Sequence, residues 1–209
     1  MKIAVIDSGV HASHPHVNGV AGGIAILPDG REAADYTDRL GHGTAVTAVI
    51  REKAPDAEVF AVKIFHESLA ARIGPLLQAI EWSVRNGMEL VNLSLGTSNA
   101  EHEAALRDAV AHAHERHCRI VAAGADAGVR WLPGAIEGVI AVALDWECPR
   151  DECRRYKGAD GRVSYRASGY PVPIPGVPVD RNLKGLSFAV ANVSGLLAAG
   201  CSEQGASTR

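Results

Sequence analysis

Three residues carry the chemistry this sequence could perform. Asp7 follows the apolar run Ile3 to Ile6, in Ile6-Asp7-Ser8-Gly9. His42 stands in Gly41-His42-Gly43-Thr44, and Ser187 in Gly185-Leu186-Ser187-Phe188-Ala189. A serine hydroxyl becomes a nucleophile when a base takes its proton, and imidazole, which titrates near neutrality, is such a base. A carboxylate can then orient the imidazole and stabilise its charged form. Each residue alone also has a plainer use. An Asp before Ser-Gly makes a turn, a His in a glycine-rich loop can be structural, and a Ser at a helix start is a cap. Together they supply a nucleophile, a base and an orienting carboxylate.

These residues need elements to hold them. Short apolar runs alternate with amphipathic stretches, the pattern of a parallel sheet covered by helices. Lys2 to Ile6, Gly23 to Leu27, Ala57 to Phe65, Leu90 to Leu95, Ile120 to Ala123 and Val139 to Leu144 read as strands. Helices are expected over Gly41 to Glu52, from about Ala71 to a C-cap at Asn86-Gly87, over Ala100 to His117, and over Leu186 to Gly200. Trp146 to Arg162 is polar and charged and reads as a loop. Pro171 to Pro178 carries four prolines. The expectation is an α/β fold, a mostly parallel sheet with helices on both faces, in a single domain over 1–200 with a flexible tail over 201–209. Asp7, His42 and Ser187 then fall at loop ends, where such sheets build sites.

Composition excludes several function classes. The chain has 209 residues, of which 47% are hydrophobic and 22% charged, as in an ordinary globular protein. The net charge is −3, without a concentrated basic face for nucleic acid. No apolar run reaches the roughly 18–20 residues that span a bilayer, and Ile3 to Ile6 is too short for a secretory segment. A cytoplasmic protein with no nucleic-acid or membrane partner is expected. Cys118, leading into an apolar strand, reads as core. Cys148 and Cys153 could pair or hold a metal but lack a second ligand pair at zinc spacing, and reduced thiols are the plainer reading. His11, His14 and His16 likewise read as solvated loop residues. No cofactor and no metal are called for.

The motifs extend beyond the three residues. Ile3-Ala-Val-Ile-Asp-Ser-Gly-Val10, Ser13-His14-Pro15, Gly41-His-Gly-Thr44, Val91-Asn-Leu-Ser-Leu-Gly96, Val121-Ala-Ala-Gly124, Gly138-Val-Ile-Ala-Val142 and Gly185-Leu-Ser-Phe-Ala189 resemble, in order, the segments of the subtilisin-like serine proteases (subtilases, peptidase family S8). The likeness runs from residue 3 to about 199. It implies an Asp7-His42-Ser187 triad in an endopeptidase working through an acyl-enzyme. Leu93, Ser94, Leu95 and Gly96 would pair with a protein or peptide substrate bound as an extended strand. Ala122, Ala123 and Gly124 would line an open apolar pocket for the side chain before the scissile bond.

The chain departs from the family pattern at the oxyanion hole. After Gly124, where the family has a donating Asn, stand Ala125 and Asp126; Asp126 could donate only if protonated. Leu186 replaces the usual Thr before the nucleophile, and Ala191-Asn192 the usual Pro-His after it. Losing one donor of the hole costs about 10²–10³ in rate, a magnitude that comes from a subtilisin. The backbone N–H of Ser187 remains. A dedicated peptide or protein precursor is the expected substrate. The alternative is a weak or inactive relative that binds a peptide without cutting it, or that needs a partner chain to complete its site. A thiol or metal enzyme would require Cys148 and Cys153 beside His42.

Overall fold

The computed structural model describes residues 1–126, 128–158 and 161–201. Its elements in chain order are strands β1 (Lys2–Asp7), β2 (Gly22–Ile26) and β3 (Glu32–Ala33), helix α1 (His42–Lys53), β4 (Glu58–Lys63), α2 (Ile73–Arg85), β5 (Leu90–Leu93), α3 (Glu103–Glu115), β6 (Arg119–Ala123), β7 (Ala125–Asp126), β8 (Val129–Arg130), β9 (Ile140–Leu144), β10 (Cys153–Lys157), β11 (Val163–Ala167) and α4 (Leu186–Ala198). Nine strands form one sheet in the order β10-β11-β9-β6-β5-β1-β4-β2-β3. The run from β11 to β2 is parallel throughout, and only the outermost strands, β10 and β3, run antiparallel.

Strand alternation divides the core. Ala4 and Ile6 of β1 point to a layer built with α2 and α3, through Leu76, Ile80, Leu106 and Val110. Ile3 and Val5 point to the other, where α1 and α4 pack through Val46, Val49, Ile50, Val190 and Val193. A strand buried on both faces needs an unbroken apolar run, which is what Ile3 to Ile6 is. Helix α4 is buried from Phe188 to Leu197, its small polar residues included, so it runs through the second layer rather than lying on it.

The structure corrects some sequence boundaries. The stretch from Trp146 to Arg162 is no plain loop: Cys153–Lys157 pairs with β11 in exact antiparallel register from Cys153↔Ala167 to Lys157↔Val163. A charged strand at a sheet edge has no apolar face to announce itself. The strand expected to reach Leu95 ends at Leu93, so Ser94 to Gly96 continue beyond the sheet. The helix expected from Ala100 opens as a single 3₁₀ turn, Ala100–His102, whose first N–H groups Asn99 caps by accepting from Glu101 N at 3.0 Å. Of the expected tail only Cys201 is among the described residues. No helix among them is long and apolar enough to cross a membrane.

Candidate functional site

Asp7 closes β1 at its carboxyl end and is fully buried. His42 is the first residue of α1. Two glycines let them meet. At Gly9 φ is +95°, a conformation that side chains resist, and a Cβ there would come within 2.2 Å of the Tyr36 carbonyl. A Cβ on Gly43 would lie 2.2 Å from the Gly9 carbonyl oxygen and 3.1 Å from Asp7 Cβ. With hydrogen there instead, His42 Nδ1 lies 2.8 and 3.0 Å from the two carboxylate oxygens of Asp7. An ionised carboxylate only accepts, so Nδ1 carries the proton and Nε2 is left as the base. Burial works against the imidazolium, but the hydrogen bond and charge of Asp7, with the charge of Asp38, outweigh it and raise the His42 pKa above 6.5. The Phe188 ring packs beside the imidazole, their centroids 5.8 Å apart.

Asp38 is a site residue that the sequence reading missed. Its buried carboxylate accepts from the N–H groups of Leu40, Gly41 and Thr44 and from the hydroxyls of Thr44 and Ser8. Ser8 Oγ in turn accepts from Gly43 N. Asp38 thus ties the His42 loop to the Asp7 loop and caps the open end of α1. Burial pushes its pKa up, and the hydrogen bonds from Thr44, Leu40 and Gly41 more than reverse this, leaving it below 3.8. The available signal was an Asp four residues before the helical His, a place where carboxylates cap helix N-termini.

Ser187 lies in the first turn of α4. Its hydroxyl donates to the Ser94 carbonyl at 3.1 Å, and Ser94 Oγ donates back to the Ser187 carbonyl at 3.1 Å. Behind this clasp is a buried chain in which Ser194 Oγ donates to Asn92 Oδ1 and Asn92 Nδ2 donates to Ser94 Oγ. Ser187 Oγ makes no hydrogen bond to His42 in this state, although both residues line one cleft of about 410 Å³. Ser–His contacts of this kind are commonly loose or unformed without substrate. The backbone N–H of Ser187 has no partner among the described residues.

The remaining predicted residues divide. Ser94, Leu95 and Gly96 line the cleft, and the N–H and C=O groups of Leu95 and Gly96 are unpaired among the described residues. Leu93 is buried inside the sheet. Ala122, Ala123 and Gly124 are buried as well and form no part of the cleft wall. Trp131 joins the two segments. Its backbone N–H donates to the Gly124 carbonyl at 3.1 Å, and its side chain lies against Gly96, where a Cβ would come within 3.3 Å. The backbone of Ala125 and Asp126 pairs with β8, and their side chains lie outside the described structure. Asn192 is buried in α4, its Nδ2 donating to the carbonyls of Ser168 and Tyr170. Cys118, Cys148, Cys153 and Cys201 are free thiols, and burial pushes Cys118 and Cys153 up to about 11.

With this geometry in hand, comparison with known proteins is direct. The model of the subtilase family matches residues 1–155, a span that holds Asp7 and His42 and stops short of Ser187. The minor extracellular protease Epr of Bacillus subtilis (strain 168) is 34% identical over 183 residues, 81% of this chain and 27% of that protein. Subtilisin Savinase of Lederbergia lenta is 30% identical over 204 residues, 92% of this chain and 70% of that protein. The chain spans about half the length of the alkaline protease of Alkalihalobacillus alcalophilus (49%) and less of Epr. Among solved structures, a lanthipeptide protease superposes with a TM-score of 0.73 at 20% identity, covering 95% of this chain and 72% of that one. The prenylagaramide maturation protease PagA gives 0.67 at 24%, covering 95% and 74%. These two likenesses bear on the fold, and they share its α/β architecture. Since the family model covers most of the chain and Savinase matches across nearly all of it, this chain belongs to the subtilase family.

Proposed function

We propose that the chain is a serine endopeptidase that cuts a protein or peptide precursor through Asp7, His42 and Ser187. The observation that carries this reading is the buried Asp7–His42 pair, with Nδ1 on the carboxylate and the imidazole sharing a cleft with Ser187. In the reaction, His42 Nε2 takes the Ser187 Oγ proton as the oxygen bonds to the peptide carbonyl carbon. The carbonyl π pair moves onto oxygen, against the free N–H of Ser187. As the C–N bond breaks, the imidazolium returns the proton to the leaving amine. Water then repeats the sequence on the ester and restores Ser187. Leu95 and Gly96 offer the edge on which an extended substrate adds a strand. Precursor cleavage is supported by analogy with the lanthipeptide and prenylagaramide maturation proteases, whose fold this chain shares.

A second reading is a peptide-binding relative that does not cut. The Ser187–Ser94 clasp and the absence of a family Asn after Gly124 favour it. A fluorophosphonate probe separates the two from about pH 5 to 9. Labelling of the wild type, lost in Ser187→Ala and His42→Ala, is the expected result. No labelling at any pH would leave the binding module, or an enzyme completed by a partner chain.

A further inference from the structure

The cleft beside His42 and Ser187 has an apolar floor and one conspicuous charge. Phe65, Ile73, Leu76 and Leu95 form the apolar part. At its rim stands Arg72, exposed and without a hydrogen bond or ion pair among the described residues. Other arginines of the fold are engaged: Arg39 on Asp35, Arg130 on Glu103 and Arg150 on Glu52. His102 also lines the cleft, with the Asn99 amide nitrogen 3.5 Å from its Nε2. No Asp or Glu lines the cleft among the described residues. The acids on neighbouring segments do not compensate. Glu103 is held by Arg107 and Arg130, Glu101 lies beside Asn99, and Glu67 is exposed on the preceding turn.

We propose that this cleft selects peptides whose segment on the acyl side of the scissile bond carries a carboxylate side chain, read by Arg72. The assignment of that segment rests on the peptidase reading above; the binding preference itself does not. An extended peptide paired to Leu95 and Gly96 rises about 3.3 Å per residue and sends alternate side chains to opposite sides. One side chain then meets the apolar floor while a neighbour reaches the rim. A guanidinium with no competing partner gives a carboxylate up to two parallel charge-assisted hydrogen bonds. Partial desolvation by the bound peptide makes the pair worth more than one on an open surface.

The test uses Ser187→Ala protein and fluorescent peptides identical except for Glu, Gln or Lys at the second, third or fourth position before the bond. At one position, anisotropy titration should show Glu binding about three- to tenfold more tightly than Gln, with Lys weakest. Arg72→Gln should erase the difference, Arg72→Glu should reverse it in favour of Lys, and added salt should shrink it. Equal affinities, a Glu preference that survives Arg72→Gln, or no peptide binding at all would overturn the proposal. Thermal melting of the Arg72 variants should match the parent, since the side chain has no partner to lose. Fluorophosphonate labelling of the wild type is read separately. A labelled enzyme without Glu preference refutes this inference alone, and an unlabelled protein that binds Glu peptides through Arg72 refutes only the peptidase reading.

Discussion

His42 sets the pH behaviour of the site. Its pKa lies above 6.5 because the hydrogen bond and charge of Asp7 outweigh the cost of burying an imidazolium. As a base it acts only when neutral, so kcat/KM should climb with pH through an inflection above 6.5, read from a pH–rate profile. Stability moves the opposite way. The raised pKa contributes stabilisation in full below 6.5, and this is lost as pH rises through the folded-state value. Asp7→Asn should lower the inflection and cut kcat by about 10⁴, because an amide that donates to Nδ1 enforces the wrong tautomer. Asp38 behaves as a depressed carboxylate: its stabilisation is present above 3.8 and lost as pH falls through its lower folded-state pKa. Asp38→Ala strands the buried donors of Thr44 and Ser8 and frees those of Leu40 and Gly41 in the exposed loop, so a loss of about 2–3 kcal/mol is expected in urea unfolding. Asp7, His42 and Ser187 could be picked out from residue type and order. Asp38 was missed although four of its five hydrogen bonds come from residues 40–44, because an Asp in a turn has many plainer uses and only the bond from Ser8 requires the fold.

Among the elements, the junction of β1 with α1 is the tightest. Gly43→Ala would set a methyl 2.2 Å from the Gly9 carbonyl, and the helix start would have to retreat from Asp7. About 1–3 kcal/mol of stability should be lost. Fluorophosphonate reactivity should fall further than the melting temperature suggests, since His42 is displaced with it. The run Lys2 to Ile6 and helix α2 were legible because burial on two faces and burial on one face leave different periods in a sequence. The end of β5 was not. Leu90 to Leu95 reads as one strand, yet the ladder stops at Leu93, where the chain turns out to let Ser94 clasp Ser187 and leaves Leu95 and Gly96 unpaired among the described residues. That break depends on α4, which lies more than ninety residues further along.

Across the whole molecule, the sheet ends in charged edges. Strand β10 carries Arg154, Arg155, Tyr156 and Lys157, all exposed, with Arg154 on Asp145 and Arg166 stacked 4.7 Å from the Tyr156 ring centroid. Charges on an edge strand discourage pairing with another chain. Arg155→Val together with Lys157→Val should therefore raise light scattering on concentration without moving the melting temperature by much. The sequence by itself determined the layered α/β plan, its parallel strands and the three residues proposed for catalysis, because apolar period and residue chemistry are local properties. Tertiary structure decided how those residues are held and what surrounds them. It placed Ser8 on Asp38, Ser187 on the Ser94 carbonyl, Trp131 against Gly96, and Arg72, unpaired among the described residues, at the rim of the cleft. Each of these rests on contacts between segments far apart in the chain, which no local pattern encodes.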